Sequence, residues 1–177
     1  MRVQMSRTVD APIERVWEIV ADRYVDAGAW ASAVYASSAR PGAPVAPGAP
    51  AMGRVCQTSL GAFTETIEAW DPAARMLTYS ATGDRMPGFV RNLRNTWTLA
   101  PLGGGRTEAR VALSADIAFP FNVLMGWLMK RQFRSAIGDT LDDLAAYAET
   151  GQVSARKGAA DRSEKARAAR AAAGQPA

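Results

Sequence analysis

Five stretches of alternating apolar and polar residues follow one another between Met52 and Asp116, at 52–59, 62–70, 76–82, 89–100 and 106–116. The links between them, LGA, DPAAR, GDRMPG and a glycine run, are short. A parallel pair of strands needs a crossover of a dozen or more residues, so strands joined this tightly must pair antiparallel, as a meander. The glycine run, Gly103 to Gly105, has Leu93, Asn95, Trp97 and Leu99 in one parity upstream and Thr107, Ala109, Val111 and Leu113 in one parity downstream. It reads as a hairpin turn in which glycine supplies positive φ cheaply. A phosphate cradle would need a helix after the glycines, and neither a Walker lysine nor a GxGxxG spacing is present.

The flanks complete the pattern. Val3, Met5 and Val9 alternate in a first strand over 2–9, and a helix follows in which Asp10 can cap, Pro12 suits the first turn, and Ile13, Val16, Trp17 and Val20 recur at helical spacing. A second short helix is expected over 22–30. The segment RPGAPVAPGAPAMG, 40–53, is too rich in proline and glycine for an element interior and reads as a long loop, a rim or lid. After Pro120 the period changes: Phe121, Leu124, Met125, Leu128, Met129, Phe133, Ile137, Leu141 and Leu144 predict one long amphipathic helix ending near Glu149, with Gly151 as its stop. The fold class is therefore α+β, a strongly curved antiparallel sheet of six to seven strands wrapped around a long C-terminal helix, with two short helices after strand one. Such an arrangement can enclose an apolar cavity.

Charge divides the chain. Residues 1–151 carry fifteen basic and fifteen acidic side chains, whereas 152–177 carry six basic and two acidic ones. The expected organisation is one domain over 1–151 and a basic, Ala-rich, mobile tail over 152–177. A neutral body lacks the basic face of a nucleic-acid-binding domain, so no nucleic-acid partner is expected. With one cysteine and no histidine, the common zinc sites and the Ser-His-Asp or Cys-His arrangements cannot be assembled; no metal and no cofactor are expected. The longest apolar run, 117–129, falls short of the ~20 residues a membrane-spanning helix needs, so no integral membrane association is expected. The N-terminus lacks the apolar core of a secretory signal, which makes a cytoplasmic location the expectation.

The order of elements, together with VDAPIERVWEIVAD (9–22), Trp30, GRVCQTSLGAFTETIEAWDPAARMLTY (53–79), MPG (86–88) and NTWTLAPLGGGRTEARV (95–111), resembles the START/birch-pollen-allergen helix-grip superfamily, also called SRPBCC. Within it, the likeness is to the bacterial polyketide cyclase/dehydrase-like branch, over about residues 2–150. The resemblance implies a cavity for a lipid, a polyketide or a similar molecule. Many relatives carry Gly-x-x-Arg on the strand that here begins at Gly53, with the arginine near a glutamate on the next strand. The corresponding positions here are Gly53 and Cys56, and the glutamate counterpart is Glu65. Glu65 then needs another cation, for which Arg7 or Arg91 are candidates by parity.

Glu65 shares its strand face with Phe63, Ile67 and Ala69, so it reads either as an acid/base group or ligand anchor, or as half of a structural ion pair. Tyr79 and Asn95 offer hydrogen bonds to a guest's carbonyl or hydroxyl, or to the fold itself. Trp30, Trp97, Phe121, Met125 and Phe133 are candidate apolar walls. Cys56 joins them as a small buried hydrophobe rather than a nucleophile, since no histidine is present to activate it. Pro87, in GDRMPG, is placed by the resemblance near the cavity mouth, where this loop and PGAPVAPGAP would act as a gate. The leading expectation is binding or transport of a small hydrophobic molecule, by a monomer or homodimer. The alternative is a polyketide cyclase/dehydrase-type enzyme in which Glu65 and Tyr79 are catalytic.

Overall fold

The computed structural model describes residues 1–174. Seven strands, β1 (Arg2–Val9), β2 (Val34–Ala39), β3 (Gly53–Thr58), β4 (Gly61–Asp71), β5 (Met76–Gly83), β6 (Val90–Gly103) and β7 (Arg106–Ile117), form one sheet. Their spatial order is β1-β7-β6-β5-β4-β3-β2, and every neighbouring pair is antiparallel. The short links thus produce the meander they require. β2 is an addition to the sequence reading; it pairs with β3 across a register shift between Val34 and Ala36, which interrupts the alternation that would have announced it.

One face of the sheet is apolar because the alternation holds along most strands: Leu77, Tyr79 and Ala81 on β5, and Ala109, Val111, Leu113 and Ala115 on β7, are all buried. Two irregularities exchange the faces. In β6 the inward side passes from Val90 to Leu93 across a shift between Arg91 and Arg94. In β4 a shift between Ile67 and Ala69 turns Trp70 inward, where its ring meets that of Trp17 at 6.1 Å. Ala69 therefore does not continue the face of Phe63, Glu65 and Ile67.

α1 (Ile13–Trp17) runs into a π-helical turn (Glu18–Asp22) and a 3-10 helix (Tyr24–Ala29), which together sink Val16, Trp17, Ile19, Val20 and Tyr24 into the core. After β7 the expected single helix is divided. α2 (Phe121–Leu124) ends at Met125, whose φ of −124° and ψ of −2° are not helical, and α3 (Gly126–Thr150) begins afresh. α3 closes on Gly151 with φ 71°, the left-handed cap the sequence suggests. Along α3 the burial is uneven: Ile137, Leu141, Leu144, Ala145 and Ala148 are buried, but the first half contributes only Met129 and a partly buried Phe133. The helix is anchored by its second half and stands off the sheet along its first.

The segment after Gly151 departs from expectation. It forms α4 (Ala155–Asp161) and α5 (Glu164–Ala172), capped by Ser154 and Ser163, whose hydroxyls accept from the backbone N–H groups of Lys157 and Ala166. Both helices dock on β2, the edge of the sheet. Lys157 Nζ donates to the Val34 carbonyl at 2.9 Å and Arg170 Nε to the Tyr35 carbonyl at 3.2 Å, while Asp161 pairs with both cations. Burial pushes the Lys157 pKa down, and Asp161 opposes that shift. A search for an apolar stripe misses this docking because it works through long cationic side chains, small alanines and the free carbonyls of an edge strand. Truncation after Gly151 should lower stability by roughly 2 kcal/mol and promote self-association through β2. Urea denaturation and light scattering would read this; an unchanged midpoint in a monodisperse sample would show that the tail's docking carries no energy.

Candidate functional site

Thr58 pairs with Gly61 across the β3–β4 turn, and that register sets Arg54 opposite Glu65 on the inner face of the sheet. Arg54 Nε donates to Glu65 Oε2 at 2.6 Å, and Tyr24 Oη donates to the same oxygen at 2.6 Å. Arg54 Nη1 donates to the Tyr24 carbonyl at 2.7 Å. The guanidinium lies 4.1 Å from the Tyr24 ring centroid and 5.6 Å from that of Tyr79, and the two rings meet edge to face at 5.4 Å. The ion-pair side chains are only 10% and 12% exposed. Taking both charges out of water is costly, and the added hydrogen bonds offset that cost. Burial works against the Arg54 charge, but Glu65 foremost, with Tyr24, holds its pKa well above the ordinary value. Burial pushes the Tyr24 and Tyr79 phenols well up, so both are neutral donors at physiological pH; Arg54's charge partly offsets the shift at each.

Among the described residues no hydrogen bond reaches Glu65 Oε1. Glu65 lies in the wall of two cavities. The first, of about 180 Å³, is lined by Tyr24, Trp30, Arg54, Cys56, Glu65 and Tyr79 among others. The second, of about 200 Å³, adds Leu93, Asn95 and Phe133, and shares Phe63, Glu65, Tyr79 and Trp97 with the first. A third, of about 570 Å³, lies under the first half of α3; Phe63, Leu93, Phe133 and Ala136 belong to both it and the second. Its other walls are mostly apolar, with Met86, Pro87, Phe89, Met125 and Met129 beside the polar Ser59, Arg85 and Gln132. The shared residues string the three cavities into one line, from an apolar chamber to a buried ion pair. Trp30, in the wall of the first, has a buried indole N–H without a partner among the described residues.

Trp30, Cys56, Glu65, Tyr79, Pro87, Asn95, Trp97, Met125 and Phe133 all line this set of cavities. Phe121 does not: it belongs to α2, is 36% exposed and stacks on Phe89 at 4.2 Å, because the break at Met125 turns it off the face of α3. The cation facing Glu65 is neither of those expected. Arg7 reaches across to Asp142 on α3, and Arg91 is exposed and bonds Gly88 O. Arg54 takes the role, with Cys56 beside it on the same face. Burial raises the Cys56 thiol to about 12, so it is a space-filling hydrophobe and not a nucleophile. Of the two loops expected as a gate, GDRMPG borders the large cavity through Arg85, Met86 and Pro87. The 40–53 loop lies elsewhere, with Ala46 and Ala49 buried and Gly48 against Trp70. Sequence reasoning overlooked Tyr24 and Arg54, whose signals lay in helix and hairpin register.

Comparison with known proteins follows the same geometry. A START superfamily protein from Mycobacterium smegmatis superposes with a TM-score of 0.69 at 16% identity, over 85% of this chain and 99% of its own. An uncharacterized protein from Bacillus thuringiensis gives 0.67 at 15% identity, over 84% and 98%. The di-domain ARO/CYC BexL from the BE-7585A biosynthetic pathway gives 0.64 at 15% identity, over 82% of this chain and 45% of BexL. At such identities these likenesses establish the fold. No curated protein sequence matches. A family model described as polyketide cyclase / dehydrase and lipid transport matches residues 1–149, all of the sheet and nearly all of α3. The chain is thus a member of the polyketide cyclase/dehydrase and lipid transport family.

Proposed function

We propose that the chain binds a small hydrophobic molecule between the sheet and the first half of α3. The observation that carries this reading is the line of cavities joining an apolar chamber of about 570 Å³ to one buried ion pair. The guest's apolar body packs against Met86, Phe89, Met129 and Phe133, where methionines adapt to irregular shapes. Its polar end meets Glu65 Oε1 as acceptor and the Trp30 indole N–H as donor. Ala136 lies where the large and middle cavities meet and is exposed, so Ala136→Trp fills the passage without disturbing the core. Binding of anilinonaphthalene sulfonate, followed by fluorescence, should weaken at least about tenfold, the effect of losing one large apolar contact. Affinity equal to the wild type would end this reading. Native mass spectrometry of the protein purified from its host would identify the resident guest.

A second reading, cyclisation and dehydration of a polyketide chain, is favoured by one observation: the Glu65 carboxylate and the Tyr79 phenol lie in the wall of the same two cavities. There Tyr79 is a protonated donor and Glu65 Oε1 an acceptor. Tyr79→Phe separates the two. A carrier keeps guest affinity within a few fold, whereas an enzyme loses turnover of a poly-β-ketone while still binding it.

A further inference from the structure

Six large apolar side chains in the nine residues 119–127 are exposed, a density found nowhere else among the described residues. Phe119 is 80% exposed, Val123 70%, Leu124 66% and Trp127 67%. Values this high mean that the side chains project into solvent from a tip formed by α2 and the first turn of α3; Trp127, with Asn122 and Lys130, also borders a depression of about 480 Å³ beside Met1, Asp116 and Ile117. Asn122 is the single polar side chain in the run. Behind the tip, Lys130, Arg131 and Arg134 follow Trp127 at spacings of three, four and seven, which places them on one exposed stripe of α3. Arg85, in the β5–β6 link, and Arg91, at the start of β6, stand on either side in sequence of Phe89, which stacks on Phe121 of the tip. These five cations take no carboxylate partner among the described residues, and 85–91 and 117–138 contain no acidic residue. Asp84, Asp116 and Asp139 stand only at the borders of these segments.

We infer that this tip docks on the surface of an anionic lipid bilayer. Apolar residues foremost and cations behind them match the depth profile of a membrane interface, where aromatic and aliphatic groups enter the acyl boundary and long basic side chains reach back to the headgroups. An acidic protein partner would call for a flatter face with interspersed hydrogen-bonding groups, which this run lacks. Among the described residues no helix is long and apolar enough to cross a membrane, and the contact inferred is a peripheral one. The tip also adjoins the large cavity. Phe121 on the tip stacks on Phe89 of the cavity wall, and Met125 belongs to both. An apolar guest would pass between bilayer and chamber without crossing water.

Docking does not depend on a guest in the chamber, so the two readings can fail separately. The full chain is mixed with vesicles of phosphatidylcholine alone, or of phosphatidylcholine and phosphatidylglycerol in equal parts, and the bound fraction is measured by flotation. Binding is expected only to the anionic vesicles and should fall as salt rises. Leu124→Ala with Trp127→Ala should weaken it at least about tenfold. Lys130→Ala, Arg131→Ala and Arg134→Ala should each weaken it roughly fivefold. These side chains are solvent-exposed, so circular dichroism and anilinonaphthalene sulfonate binding should stay as in the wild type. Equal binding to both vesicle types, or binding indifferent to the apolar pair, overturns the proposal. So does a solution dimer, or a complex with an acidic protein, that Trp127→Ala dissolves while no vesicle binding is seen.

Discussion

Arg54→Met should destabilise the fold by about 3–5 kcal/mol, read as a shift in the urea midpoint at constant slope. The substitution leaves the Glu65 carboxylate in a site where its side chain is 12% exposed, with only the Tyr24 hydroxyl still donating to it. It also removes the donor to the Tyr24 carbonyl and the cation over two tyrosine rings. The double variant Arg54→Met, Glu65→Leu should recover at least about 2 kcal/mol, because replacing both members of a buried pair by apolar groups removes the unpaired charge. A single-variant cost under about 1 kcal/mol would mean that the pair is effectively solvated. A double variant no better than the single would assign the loss to packing on the tyrosine rings instead.

Gly53→Ala should cost more than about 3 kcal/mol and disrupt the pairing of β3 with β4. A Cβ at this position would lie 1.9 Å from the Glu65 carbonyl oxygen, 2.8 Å from its carbon and 2.9 Å from Thr66 Cα. All three are backbone atoms of the paired strand and cannot swing aside as a flexible side chain would. The need for glycine here is therefore one of close approach and not of φ. Because the strand that must yield carries Glu65, the soluble fraction of the variant should also bind anilinonaphthalene sulfonate more weakly. A wild-type midpoint would show that the two strands can separate by more than an ångström at little cost.

Alternation and link length made the meander, the sheet-and-helix class and the inner positions of Glu65, Tyr79 and Trp97 readable without coordinates, since each depends on local periodicity. Arg54 was within reach. A turn that pairs Thr58 with Gly61 carries the register back to Arg54 opposite Glu65, and Arg54 shares its parity with Cys56. The resemblance to Gly-x-x-Arg directed attention to position 56, one residue pair beyond the cation. Tyr24 could not be found this way, because its approach to Glu65 depends on how a 3-10 helix is laid against the sheet, which no local spacing encodes. The turn of β4 after Ile67 was equally hidden, since a bulge reverses the faces of a strand without altering its composition. The docking of residues 155–172 on β2 escaped because side chains of high charge formed the contact, and composition alone assigns such side chains to solvent.

The uneven seating of α3 makes that helix a cantilever. Its clamped end, from Ile137 onward, shares the core with β1, so lifting it means breaking the main body of the fold. Its overhanging end, from Gly126 to Ala136, borders the chamber and can bend outward at far smaller local cost. On the proposed reading, girth is then a weak criterion for admission: guests of different widths would be met by the deflection of one beam, with the sheet beneath them left undisturbed.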